Sequence, residues 1–280
     1  MTRTTTPDGA AGTGGTQGAD DAHGAGGPHG STADRAAGRR LAFRAALREL
    51  RGAQKKARGV SLYSRYVNRP AGRVLAAAAY RLDLTPDQVT LISAGFTFTG
   101  VGLLAAMPPS WALGAAVWAA LAAGFAFDSA DGQLARLLRR SSAAGEWLDH
   151  VVDCAKITAL HAAVLVSFHR FAQLPSEGWL LLPLGFQLAA VLIFFGGLLT
   201  DKLRPRDAAA APGAAAAPPS RVRAVALLPV DYGVFCLVFL LLGGAETFRW
   251  AYALLFAAHL VFLAGFLIRW YRELAARPAG

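Results

Sequence analysis

The sequence predicts an all-α protein: a six-helix transmembrane bundle with an N-terminal amphipathic juxtamembrane helix. Three observations carry that prediction. Hydrophobic residues make up 54% of the 280 positions and charged residues only 16%, a balance ordinary in membrane proteins and unusual in soluble domains. The apolar residues gather into six segments, at 88–107, 111–130, 147–171, 178–200, 223–243 and 248–270, each near the ~20 residues a bilayer requires. The formal net charge of +10 lies largely outside those segments. That placement points to an anionic membrane surface and a phosphate-rich substrate, and away from nucleic acid.

In chain order, residues 1–57 read as a disordered cytoplasmic tail, because Gly, Ala, Thr and Asp dominate without a hydrophobic period. The tail holds no apolar run of the signal-peptide kind. A basic, Ala-rich stretch from Leu41 to Arg58 has helical composition but is expected to be poorly ordered. Residues 58–84 form the juxtamembrane amphipathic region. Arg65, Arg69 and Arg73 recur every fourth residue, Val67, Val74, Leu75 and Tyr80 supply apolar surface, and Pro70 suits a helix's first turn. Such a helix lies on the membrane with its arginines toward lipid phosphates.

Residues 85–273 hold the six spans and 274–280 a C-terminal tail. Thr85 is placed to cap the first span and Pro86 to occupy its first turn. Short turns follow at Met107–Ser110, Gln173–Glu177 and Gly243–Thr247, and the longer connections are 136–146 and 201–222. Cys154 and Cys236 lie in apolar segments, show no metal-ligand spacing and imply no disulfide framework. Eleven lysines and arginines fall on one side of the predicted spans, including Arg136, Arg139, Arg140, Lys202 and Arg204, against Arg170 and Arg249 on the other. The positive-inside rule then predicts a multi-pass protein of the cell membrane with both termini, both long loops and the ends of spans two and three in the cytoplasm.

Those last ends carry the most informative stretch. It reads Asp128-Ser-Ala-Asp131-Gly132-Gln-Leu-Ala135-Arg136, eight further residues, then Gly145-Glu-Trp-Leu-Asp149-His-Val-Val-Asp153. At about 100° per residue, Asp128, Asp131, Gly132 and Ala135 share one side of a helix, and Gly145, Asp149 and Asp153 share one side of another. If the two helices are antiparallel neighbours, four carboxylates converge. They cannot all remain ionised without a strong positive partner. A divalent cation is the simplest one, and oxygen-only ligands favour Mg²⁺, Mn²⁺ or Ca²⁺ over zinc. The small residues beside the acids leave room for a ligand to approach the backbone.

The pattern D-x2-D-G-x2-A-R-x8-G-x3-D-x3-D resembles the signature of the CDP-alcohol phosphotransferases, and every fixed position is present. The order of apolar segments extends the likeness from about residue 60 to the C-terminus. The resemblance implies transfer of a phosphoalcohol, first of all a phosphatidyl group from CDP-diacylglycerol, to a hydroxyl acceptor with release of CMP. It implies that Asp128, Asp131 and Asp149 ligate Mg²⁺ or Mn²⁺, and that Asp153 is the general base while lying near a second ion. Asp131, Gly132, Ala135, Arg136 and Gly145 would bind CDP, with Arg136 facing phosphate. It further implies a homodimer. The segment Thr85-Pro86-Asp87-Gln88-Val89-Thr90 resembles the family's Thr-Pro-Asn-x-x-Thr opening, with Asp87 where asparagine is usual. Cys154 stands where many members carry arginine.

Other polar residues frame the motif. Lys156 shares a face with Asp153 and either contacts an acceptor phosphate or pairs with the carboxylates. Lys202 and Arg204 are further candidates for an anionic acceptor, against an ordinary positive-inside role. Asp231, an acid inside span five, is expected to face the bundle interior. His161 reads as a hydrogen-bonded structural histidine, and Glu146 and His150 as neighbours that orient the ligands. Ion or proton transport is the competing reading of intramembrane acids; transport sites sit near the midplane on broken helices, whereas these acids cluster at one face. A soluble CDP-polyol donor or a lipid-alcohol acceptor is the alternative within the same chemistry.

Overall fold

A computed structural model of the chain describes residues 43–50, 61–140, 142–204 and 221–276, and every regular element among them is a helix. Helix α1 covers 43–50. A π-helical turn, Ser64–Asn68, runs into α2, Arg69–Arg81. Then come α3 (Pro86–Ala106), α4 (Trp111–Leu138), α5 (Ala143–Phe171), α6 (Leu181–Lys202), α7 (Arg221–Ala226), α8 (Tyr232–Val238) and α9 (Ala245–Ala275). Five helices are long and apolar enough to cross a membrane, and the bent pair Ala224–Val230 and Tyr232–Leu241 makes a sixth if it is one span.

Local chemistry sets the helix starts. Thr85 Oγ1 accepts from the Gln88 amide at 3.2 Å while Gln88 Oε1 accepts from the Thr85 amide at 2.9 Å, a capping box closed over Pro86. Ser110 caps α4 by accepting from Leu113 N, and Ser142 caps α5 by accepting from Gly145 N. Between α4 and α5, Arg139 takes the left-handed conformation at φ 50° and Arg140 N donates to Ala135 O at 3.0 Å. This reverses the chain in a few residues. The connection expected at 136–146 is therefore shorter, and both halves of the acidic motif lie on helix.

Helix α3 packs along both α4 and α5, whereas α4 and α5 make little backbone contact with each other. The expected pair of neighbouring helices is instead a pair spread apart and bridged by α3. Within a bilayer such packing relies on close fit and small residues. At Gly124 a Cβ would lie 2.2 Å from Thr97 Oγ1 and 3.1 Å from Ser93 O, so only glycine lets α3 come this close. Ser93 Oγ donates to the Gly124 carbonyl at 2.8 Å. On the far side, Leu121, Leu160, Val164, Phe168, Phe186, Phe235, Phe239 and Tyr252 make the main apolar core.

The structure departs from the sequence expectations in three places. Residues 43–50, part of the expected tail, are helical, and Ala46 and Leu50 are buried with Ala76, Ala77, Ala79, Val89, Ala130 and Leu134. Apolar residues four apart give this short helix a face that α2 and α4 cover. Pro70 lies in the first turn of α2, as its chemistry suggests, but the chain is already helical from residue 62 through the π-turn that precedes it. The expected continuous fifth span is broken by 51° at Asp231. Pro229 brings no N–H, and Asp231, in extended conformation, restarts the helix by accepting from Gly233 N at 2.8 Å and Val234 N at 3.3 Å. Its other oxygen accepts from Ser61 Oγ and, at 2.6 Å, from Ser64 Oγ. The start of the juxtamembrane segment is thereby clasped to the bend.

Candidate active site

The acidic face of α4 and that of α5 meet across the gap left by their divergence. One carboxylate oxygen from each of Asp128, Asp131 and Asp149 lies within 4.8 Å of the others. Asp131 is buried and held at both oxygens, by Thr90 Oγ1 at 2.7 Å and by the Gly132 amide at 2.5 Å. The fourth acid, Asp153, is joined to this group through a cation. Lys156 Nζ donates to Asp128 Oδ1 at 2.5 Å, to Asp153 Oδ1 at 3.1 Å and to Ser93 Oγ at 3.0 Å. Of the two readings of Lys156, pairing with the carboxylates is what the geometry contains.

Three carboxylates with a single ammonium beside them form an oxygen-only, net anionic donor set, which fits a hard divalent cation. Thr90 and the Gly132 amide fix Asp131 from behind, as ligand carboxylates are commonly oriented.

Gly132, Ala135, Arg136 and Gly145 line a cleft of about 670 Å³ together with Asp131 and Asp149. Pro86, Asp87, Arg139, Arg140 and Glu146 are among its other walls, so a chamber with charges of both signs opens beside the acids. A Cβ at position 145 would sit 2.9 Å from Asp87 Oδ1. A side chain here would displace the Asp87 carboxylate, which faces the cleft beside Gly145.

The two outlying cations are both engaged. Lys202 pairs with Glu146, a residue of the cleft wall, and His150 Nε2 lies 3.8 Å from the same carboxylate. Arg204 donates to both Glu273 oxygens, at 2.8 and 3.1 Å, and Glu273 holds its guanidinium above the ordinary arginine range. This tie links the end of α6 to α9. Asp231 turns to Ser61 and Ser64 rather than to the acids. His161 is buried, its Nδ1 at 2.5 Å from Tyr252 Oη.

Sequence reasoning missed Ser93 and treated Thr90 only as part of a helix opening. Their spacing of three residues puts them on one face of α3, but which helix that face meets is not written in the pattern. It missed Tyr232 as well, whose hydroxyl is buried and which lines a chamber beside Asp128 and Asp153.

The sequence profile of the CDP-alcohol phosphatidyltransferase family matches residues 83–202, a segment that contains α3, α4, α5 and α6 and with them Asp128, Asp131, Asp149 and Asp153. Over 92 residues the chain is 38% identical to a phosphatidylinositol phosphate synthase of Corynebacterium glutamicum. The match takes in 32% of this chain and 39% of the relative, so the chain spans well under half of that protein's length.

Proposed function

We propose that the chain, whose residues 83–202 match the profile of the CDP-alcohol phosphatidyltransferase family, transfers a phosphoalcohol from a CDP-alcohol to a hydroxyl acceptor in phospholipid biosynthesis, releasing CMP. The observation that carries this reading is the convergence of Asp128, Asp131 and Asp149 at the end of a cleft walled by Gly132, Ala135, Arg136 and Gly145. CDP-diacylglycerol is the donor of first choice, because a site built at the end of membrane helices suits a lipid.

Phosphoryl-group transfer asks for positioning and charge neutralisation more than for covalent help from the protein. The cleft takes cytidine and diphosphate, small residues admitting them close to the backbone and Arg136 facing phosphate. Asp128, Asp131 and Asp149 would hold Mg²⁺ or Mn²⁺, which when bound neutralises charge on the diphosphate and on the departing CMP. Asp153 takes the proton of the acceptor hydroxyl. The acceptor oxygen then bonds to the phosphorus distal to cytidine, the bridging P–O bond breaks, and its electron pair leaves with CMP. Lys156 holds Asp153 and Asp128 in register.

In the membrane, the bent pair at Asp231 counts as a single fifth span, giving six. The basic ends of the helices lie in the cytoplasm with the site and both termini. Residues 64–81 form the juxtamembrane helix, with Tyr66, Val67, Val74 and Tyr80 exposed toward lipid. The active form is a homodimer.

The test separates binding from turnover. With CDP-diacylglycerol and Mn²⁺, Asp153→Asn should lose turnover by about 10²–10⁴-fold while equilibrium binding of the CDP-alcohol stays intact. The acceptor panel is inositol, serine, glycerol 3-phosphate and inositol phosphate, the last suggested by the relative's name. Full activity in Asp153→Asn would remove the base assignment, and loss of donor binding would move Asp153 to the donor site.

A further inference from the structure

Two cavities meet the acid cluster, and they touch different acids. The cleft is walled by Asp131 and Asp149. A second chamber of about 150 Å³ is walled by Asp128 and Asp153, with Lys156 beside them. The rest of that chamber is mostly apolar, with Phe125 of α4, Ile157 of α5 and Phe194 of α6, and it also carries the hydroxyl residues Thr97 and Tyr232. Through Ile157, Phe194 and Tyr232 it adjoins a further cavity of about 250 Å³ reaching His161 and His259 between Leu160 and Phe186. All of this lies within or between membrane-spanning segments.

The reaction axis assigns the chamber. In an in-line displacement at phosphorus, the attacking and leaving oxygens stand on opposite sides. If CMP departs into the cleft, the attacking hydroxyl arrives from the side of Asp128 and Asp153, which is the chamber. The donor's own alcohol is off that axis and does not compete for this position.

The chamber's chemistry then selects the acceptor. An ammonium has three N–H donors, and those of Lys156 go to Ser93, Asp128 and Asp153. The lysine has no donor left for an acceptor phosphate. Lys202 and Arg204 are committed to Glu146 and Glu273. A phosphate in the chamber would stand beside two carboxylates, with the hydroxyls of Thr97 and Tyr232 but no uncommitted cation in the lining to balance its charge, a costly burial of unpaired charge. An uncharged hydroxyl on an apolar body loses nothing there. Resting on the transferase reading above, we propose that the chamber is the acceptor site and that the acceptor is a lipid alcohol, its hydroxyl delivered to Asp153 and its apolar body lying along Phe125, Ile157 and Phe194. The hydroxyl proton passes to Asp153, the alcohol oxygen bonds to phosphorus, and CMP leaves with the electron pair of the broken P–O bond.

The experiment uses the full chain in lipid nanodiscs with Mn²⁺ and either CDP-diacylglycerol or CDP-glycerol as donor. CMP release is followed with diacylglycerol or a long-chain alcohol, and separately with inositol phosphate or glycerol 3-phosphate. The expected result is CMP release that depends on the lipid alcohol. In Ile157→Trp, which fills the chamber, kcat/KM for that alcohol should fall about tenfold or more with the Kd for the CDP-alcohol unchanged. A polyol phosphate as the better acceptor would overturn the proposal and leave the transferase reading standing. A change in donor Kd in Ile157→Trp would also overturn it, by giving the chamber to the donor. The acceptor panel on the unaltered protein decides the same question should that variant not fold. Failure of every CDP-alcohol to bind is a different result, and it removes the transferase reading itself together with this one.

Discussion

Lys156 is the residue on which the charge balance of the site turns. It is 6% exposed and bonded to two carboxylates and a hydroxyl, so its removal leaves two acids without their internal counter-ion. Breaking a fully buried pair costs about 3–5 kcal/mol. Asp128 and Asp153 keep 24% and 28% of their side-chain surface in contact with solvent-sized space, so a smaller loss is expected. Lys156→Met should lower the thermal midpoint in metal-free detergent and regain part of it with Mn²⁺, since a divalent ion restores the missing charge; a midpoint indifferent to both changes would contradict this role. Thr90 acts one step further out. Thr90→Val keeps the shape and removes the bond to Asp131, and an outer partner of a metal ligand is commonly worth about 10–100-fold in affinity. Titration of Mn²⁺ followed by electron paramagnetic resonance should show that weakening, and unchanged affinity would mean that Asp131 needs no orienting partner.

At the scale of elements, α3 is the spacer that sets α4 and α5 apart, and Gly124 sets how close it comes. Gly124→Leu has no room beside Thr97 and Ser93, and overpacking of this kind costs about 1–3 kcal/mol. The midpoint of unfolding should fall and Mn²⁺ affinity with it, because Thr90 rides on the displaced helix; a lower midpoint with unchanged affinity would uncouple the two. Asp231→Ala removes the cap of α8 and the clasp to Ser61 and Ser64. Loss of a cap alone is worth about 0.5–2 kcal/mol, and proteolysis near residue 61 should speed up as the clasp opens. These elements also show what the sequence discloses. The two faces of acids were legible because Asp128 and Asp131, and Asp149 and Asp153, follow helical spacing. The capping of α3 was legible because Thr85, Pro86 and Gln88 are local signals. Neither Ser93 beside Lys156 nor Ser61 beside Asp231 was legible, since each contact joins residues more than sixty positions apart. The break of the fifth span was hidden for another reason: Pro229 and Asp231 lie in a segment whose apolar content satisfies a span by composition alone.

At the scale of the molecule, charge and chemistry predict the same orientation. The ends of α4 and α5 that hold the acids also carry Arg136, Arg139 and Arg140, and the end of α6 carries Lys202 and Arg204. The positive-inside rule predicts that this end faces the cytoplasm, where soluble nucleotides are found. In sealed inside-out vesicles, a cysteine introduced by Ala143→Cys should react with a membrane-impermeant maleimide, and in right-side-out vesicles it should not; the reverse pattern would invert the orientation. The central claim, that three aspartates hold an ion at which a CDP-alcohol is cleaved, is tested most directly by CMP release from purified protein supplied with CDP-alcohol donors and the acceptors named above. Release should require Mg²⁺ or Mn²⁺ and disappear in Asp149→Ala, whereas release that persists in Asp149→Ala or needs no divalent ion would contradict that claim.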